Sequence, residues 1–446
     1  IAVRPVGGRV RAGVRDVHGR PTSRAGLVEH RVGEGHTLLV APDLTGSVVR
    51  IQQGVAVTRD GVPAPDGTAP IADDVLKSGD GAVLDWTFDR QPVPGSDGLT
   101  AFLRAVADEW RRLLVRAIAA MATRVGIAVP ALWCHPRGLP AVAHLSHDTD
   151  GNDPDRARAL LRELARARVR STWCVILPGY PAELLAAIRA AGHELAMHFD
   201  AVSSDGTFTE GEFDRQWRAL RELFGAPPVT NKNHYLRWEG DSEFYEWCAR
   251  RGIRLEQSKG ASKTGEAGYN FGTCHLFHPV APDGRPLPVW ELATPTQDLV
   301  VFAPEALLDP LVATVRRHHG VLHLLYHPAH IEKPGVADSL QRAIARARAA
   351  GMEWWTGAEL VAWQEARRAA TWADPAGDGR RASVTLRALE PLPEATIVWL
   401  GAPVGAVRVD GDPREVTTVE AWGLACAASR VDLGAGGAAR IEYERA

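Results

Sequence analysis

His144-Leu145-Ser146-His147-Asp148-Thr149-Asp150-Gly151 follows an apolar run and precedes a helical pattern. Side chains alternate along a β-strand, so aspartates two apart face the same way. A strand ending here puts both carboxylates at its C-terminal mouth, where α/β barrels keep their chemistry. Paired carboxylates in such a place divide the labour: one ligates a metal, and the other takes a proton from activated water. The plainer use of the same residues is a turn and helix cap around Asn152-Asp153-Pro154-Asp155.

Working outward, residues 140 to 366 alternate between strand and helix patterns. Strands are expected at 141–146, 171–177, 193–198, 253–257, 298–302, 321–327 and 352–355. Helices are expected near 155–168, 182–191, 210–224, 241–251, 304–318, 336–350 and 357–368. The expected fold is therefore α/β: a deformed (β/α) barrel of about seven strands, spanning 139–368.

The flanks differ in character. Residues 1–100 are rich in Gly, Pro and Val; 33–44 reads as a turn and buried strand, 47–67 as loop, and about 100–123 as an amphipathic helix. Beyond 370, ADPAGDGRR (373–381) reads as a linker. Alternating Val407 and Val409 before Asp410-Gly411 then read as a hairpin. Three domains are expected, at 1–138, 139–368 and 372–446, the last a small β-sandwich-like unit.

Composition bounds the function. The chain has 446 residues, 45% hydrophobic and 24% charged, with net charge −3, which gives no basic surface for nucleic acid. No apolar run is long enough to span a bilayer. Five scattered cysteines with no CxxC pair exclude a disulfide framework and a cysteine zinc site. The opening IAVRPVGGRV has no signal-peptide pattern, so the expected location is the cytoplasm; the first residue is Ile rather than Met, which leaves room for an upstream segment. The oligomeric state is left open.

On these motifs the barrel region resembles the polysaccharide deacetylase (NodB-homology, carbohydrate esterase family 4) superfamily. Residues 1–138 bear a fainter likeness, in their glycine turn, strand and closing helix, to the amidotransferase-like domain found beside some carbohydrate enzymes. In LSHDTDG the deacetylase resemblance implies Asp148 as base and Asp150 as metal ligand. AGHELAMH (191–198) stands where the second motif belongs, with His198 at the ligand position and His193 on the opposite strand face. The family's second ligand histidine falls here on Val202. A catalytic zinc wants three protein ligands and an open position. His234, in NKNHYLRW, is the best substitute, with His330 as a second candidate ligand or acid. Arg237 and Trp238 are expected to hold Asp148 or to stack on a sugar, and Trp290 is a second possible platform. VLHLLYHPAH (321–330) resembles the last motif, with His327 as the residue that protonates the leaving group and His323 on the same strand face.

The implied function is metal-dependent hydrolysis of an N-acetyl or related acyl group on a carbohydrate. The implied cofactor is one divalent ion, zinc first, with iron, cobalt or manganese as competitors. Two readings stay open beside it: a non-catalytic carbohydrate-binding protein, and a hydrolase of another non-peptide C–N bond. The loop 258–279 is no phosphate loop, because Glu266 rather than Lys follows Gly265. It reads as a solvated surface loop or a substrate loop offering Lys259 and Lys263 to an acidic group.

Overall fold

The computed structural model describes residues 3–62, 72–203, 207–263, 265–377 and 380–446. Its centre is a parallel sheet of eight strands: Val142–Asp148, Thr172–Val175, Glu194–Phe199, Thr230–Asn233, Leu255–Glu256, Trp290–Glu291, Val321–Leu325 and Glu353–Trp355. From Trp290–Glu291 the neighbours run backward through the chain to Val142–Asp148, with Val321–Leu325 on its far side. The Glu353–Trp355 strand pairs with the start of Val142–Asp148, below the point where Thr172–Cys174 joins it. An irregular stretch spans the gap left by this curl: Ala261 N donates to Thr294 O at 2.8 Å, and Asp298 N to Leu325 O at 2.9 Å. The seven strands in sequence make the expected deformed barrel.

Alternation explains what the first strand does. Ala143 and Leu145 join the core beneath the helices, with Leu160, Leu164, Leu340 and Ile344. His144, Ser146 and Asp148 turn toward the lumen, where His144 Nε2 accepts from Gln257 Nε2 at 2.8 Å. The helix Pro154–Ala167 starts where the sequence signals it. Asp153 accepts from the Asp155 and Arg156 amides, and Pro154 occupies the first turn. The other barrel helices are Ala182–Ala190, Glu210–Phe224, Glu243–Arg250, Leu308–His318, Val336–Ala349 and Gly357–Ala369.

Several expectations need correction. Asp298–Phe302 is a closed turn, not a strand. Thr230–Asn233 and Trp290–Glu291 are strands that the apolar-run rule passed over, the first because its side chains are polar, the second because it is two residues long. Within the loop-like stretch, Leu44–Gln53 is a helix capped by Asp43, while residues 63–67 lie outside the described residues. The Gly35–Val40 strand is an edge of an antiparallel meander with Arg9–Arg15 and Pro21–Val32, and its side chains are half-buried or exposed rather than buried. The expected linker is the hairpin of Thr371–Gly377 and Arg381–Arg387, with 378–379 outside the described residues.

The tail forms two packed antiparallel sheets around Leu386, Ile397, Trp399, Val407 and Ile441. Asp410 and Gly411 both have positive φ and turn Val404–Val409 into Asp412–Arg414. Strand Ala128–Leu132, ahead of the barrel, completes the tail's four-stranded sheet by pairing with Leu392–Gly401. No helix among the described residues is long and apolar enough to cross a membrane.

Candidate metal centre

The strand carrying Asp148 ends on that residue, so Asp150 is not on the strand as expected. It sits in the following turn with φ +29°, pinned by Thr149 N to Cys174 O at 3.1 Å and Thr149 Oγ1 to Asn152 Oδ1 at 2.9 Å. The turn swings the Asp150 carboxylate over the barrel mouth. Its Oδ1 lies 3.3 Å from His198 Nε2 and 3.8 Å from His234 Nε2; its Oδ2 lies 3.7 Å from His327 Nε2.

The imidazoles are oriented from behind. His198, fully buried on Glu194–Phe199, donates from Nδ1 to Lys232 O at 2.8 Å. His234, just past Thr230–Asn233, donates from Nδ1 to Asp200 Oδ1 at 3.1 Å. Asp200 is itself held by the Val202 and Ser203 amides. In a neutral imidazole, donation from Nδ1 leaves the Nε2 lone pair free, and a carbonyl or carboxylate behind the ring is the usual support for a metal-bound histidine. One ligand atom each from Asp150, His198 and His234 falls within 4.8 Å of the others. Asp150 Oδ1, His198 Nε2 and Asp148 Oδ1 are buried without a hydrogen-bond partner. Buried polar atoms are rarely left so, and this donor set, two imidazoles and a carboxylate, suits a divalent ion.

Electrostatics agree with the geometry. Burial works to raise the Asp150 carboxyl, but His198, His327 and His234 outweigh it and bring it down to about 2. Burial disfavours a charged His198, but Asp148 and Asp150 raise it. The pocket is one that draws positive charge.

Across the mouth stands a second group. Asp298, fully buried, accepts from His327 N at 2.8 Å and from His327 Nδ1, and lies 3.2 Å from His330 Nδ1. Burial opposes charge on His327, but Asp298, with Asp148 and Asp150 beyond it, raises the imidazole to about 9. His330 thus belongs with Asp298 and not with the Asp150 trio. A third grouping, Asp108, Cys274 and His275, is already satisfied: Asp108 accepts from Arg111, Thr273 Oγ1 and Cys274 N at 2.7 to 2.8 Å.

Sequence reasoning missed Lys232. It is fully buried, 3.5 Å from Asp148 Oδ1, and donates to Ser146 Oγ at 2.6 Å. Ser146 Oγ in turn donates to His323 Nε2 at 2.9 Å, and His323 Nδ1 to Ala293 O at 3.1 Å. Its only signal was a lysine inside the polar run Thr230-Asn231-Lys232-Asn233, in a chain with few lysines. Asp298 and Asp200 were missed as well.

Other expectations fail. Arg237 does not hold Asp148; it donates to Ala201 O at 2.9 Å and pairs with Glu239. Trp238 and Trp290 are buried in the core and cannot stack on a sugar. Lys259 lies under Trp238, 4.3 Å from its ring centroid, and Lys263 is paired with Asp60 and Asp80, so neither is available to an acidic ligand. That loop is therefore no solvated surface loop either, although Thr264 lies outside the described residues. His193 is structural, its Nδ1 accepting from Ser171 N at 3.1 Å.

No protein-family pattern matches the chain, and no curated protein matches it. Among solved structures, it is similar to a Mycobacterium smegmatis protein assigned as a polysaccharide deacetylase, at 20% identity and TM-score 0.38, covering 53% of this chain and 95% of that one. An allantoinase is similar at 14% identity and TM-score 0.38, covering 51% and 91%. A family 4 acetyl xylan esterase from Clostridium thermocellum, solved with a cobalt ion, is similar at 13% identity and TM-score 0.30, covering 49% and 89%. At these values the functional reading rests on the site's own geometry.

Proposed function

We propose that this chain is a metal-dependent hydrolase that removes an N-acetyl or related acyl group from a carbohydrate. The observation that carries the reading is the convergence of Asp150 Oδ1, His198 Nε2 and His234 Nε2 beside the buried Asp148 carboxylate, whose Oδ1 faces Lys232 but accepts no hydrogen bond. Asp150, His198 and His234 hold one divalent ion, zinc by its taste for mixed imidazole and carboxylate ligands. When bound, such an ion supplies Lewis acidity, polarising an acyl oxygen and making water a better nucleophile near neutral pH.

Asp148 accepts the proton of the attacking water, and Lys232 keeps that carboxylate in place without solvent. The water oxygen bonds to the acyl carbon and the C–N bond breaks. His327, charged and clamped by Asp298, delivers its proton to the departing nitrogen. The products are a carboxylic acid and an amine. The rival reading of a pure glycan-binding protein sets the glycan between Trp238 and Trp290, and both are core residues; bound metal separates the two readings.

The test is acetate release from N-acetylated chito-oligosaccharides by zinc-loaded and chelated protein. The reading expects release from the loaded form alone. Equal release from both, or opening of a cyclic amide with no acetate from any glycan, contradicts it.

A further inference from the structure

Asp298-Leu299-Val300-Val301-Phe302 has the composition of a strand yet folds back on itself. Asp298 O accepts from Val301 N at 3.0 Å and Phe302 N at 3.1 Å, and Val300 N donates to Ala303 O at 2.7 Å. Leu299 and Ala303 are buried, whereas Val300 is 42% and Phe302 63% exposed. Val300 has φ +69°, a left-handed backbone that β-branched residues avoid. Strain of this kind persists only where the surroundings impose it, and it gathers at functional sites. Here the anchors are Asp298 N on Leu325 O and the Asp298 carboxylate on His327.

The turn therefore holds one bare aromatic ring beside the reacting groups. The Phe302 ring centroid is 6.2 Å from that of His327 and 5.3 Å from that of His330. On the other side of the cluster, Tyr235 is 53% exposed, also at positive φ, with its ring 4.7 Å from that of His234. Asp150 lies between the two sides, one oxygen toward His234 and the other toward His327. A polar group borders the Phe302 ring: the imidazole of His330. A flat apolar face with a hydrogen-bonding neighbour matches a pyranose, whose ring faces are C–H and whose edges are hydroxyl.

We propose that Phe302, presented by this strained turn, is the platform on which the sugar ring next to the reacting unit stacks. This rests on the hydrolase reading above. Zinc-loaded protein is assayed for acetate release on N-acetylglucosamine and on its β-1,4-linked dimer to hexamer. The expected result is a rise in kcat/KM on the order of 10- to 100-fold from monomer to tetramer. Phe302→Ala raises KM for the tetramer about tenfold, a typical worth for one stacked ring, with a smaller effect on kcat. Phe302→Trp keeps the KM low. Equal kcat/KM on monomer and tetramer, or an unchanged KM in Phe302→Ala, overturns the proposal while leaving the hydrolase standing. Zinc-dependent release from no member of the series overturns both.

Discussion

Lys232 Nζ lies 3.5 Å from Asp148 Oδ1, and both side chains are shut away from solvent. A buried charge without its partner costs far more than the pair contributes. Lys232→Met should therefore destabilise the fold by about 3–5 kcal/mol. Urea unfolding checks this; a change below about 1 kcal/mol would mean that the lysine is not coupled to the carboxylate.

Asp148→Asn keeps the shape and hydrogen-bonding edge of the side chain but cannot take a proton. It should bind zinc with unchanged stoichiometry while kcat falls by roughly 10²–10⁴-fold. Metal analysis and acetate release on the same sample separate the two effects, and retained turnover would remove Asp148 from the base role.

His327 makes a pH-dependent contribution. Burial opposes its charge, but Asp298 outweighs burial and holds the folded imidazole at about 9, against about 6.5 in an unfolded chain. A raised value means that the folded state binds the proton more tightly. The stabilisation is complete below about pH 6.5 and is lost as pH rises through about 9. In metal-free protein, Asp298→Asn should flatten the fall in Tm between pH 6.5 and pH 9.5. The same substitution should bring the alkaline limb of kcat/KM down from about 9 toward about 7.

Glu266 loses stability in the same direction, in a lower pH window. Burial raises its carboxyl to about 7, even though it accepts from the Ser262 and Lys263 amides, and its Oε1 has no partner. An acid whose folded value lies above its unfolded one loses stability as pH climbs from about 4.5 to about 7, and no more beyond. Glu266→Gln should raise Tm by about 2–4 °C at pH 8 relative to its effect at pH 4, as read by calorimetry at the two pH values.

The barrel was legible where strands are apolar and long. Val142–Asp148 and Val321–Leu325 announce themselves, and so do the helices between them with their caps. Thr230–Asn233 did not, because a strand whose side chains serve a polar lumen has no apolar signature. The stretch 298–302 misled in the other direction: its apolar pattern is real, but Val300 turns the chain and leaves two of its residues outside. At the site, the motifs of the resemblance named Asp148, Asp150, His198 and His327, and spacing named His234; the fold brings Asp150, His198, His234 and His327 to one mouth. Lys232, Asp200 and Asp298 could not be found so, because they act through another side chain and only the folded chain brings them together. Trp238 and Trp290 show the remaining gap: a tryptophan beside a loop reads the same in sequence whether it faces a ligand or the core.

The hydrolase reading requires one cation held by Asp150, His198 and His234. Chelated protein titrated with zinc, followed by metal analysis after gel filtration, tests it directly in the parent chain and in His234→Ala and His330→Ala. About one ion per chain is expected in the parent and in His330→Ala, with a loss of at least about 10- to 100-fold in affinity in His234→Ala. A parent chain that retains no zinc, or a His234→Ala variant that binds it as tightly as the parent, would rule this metal site out.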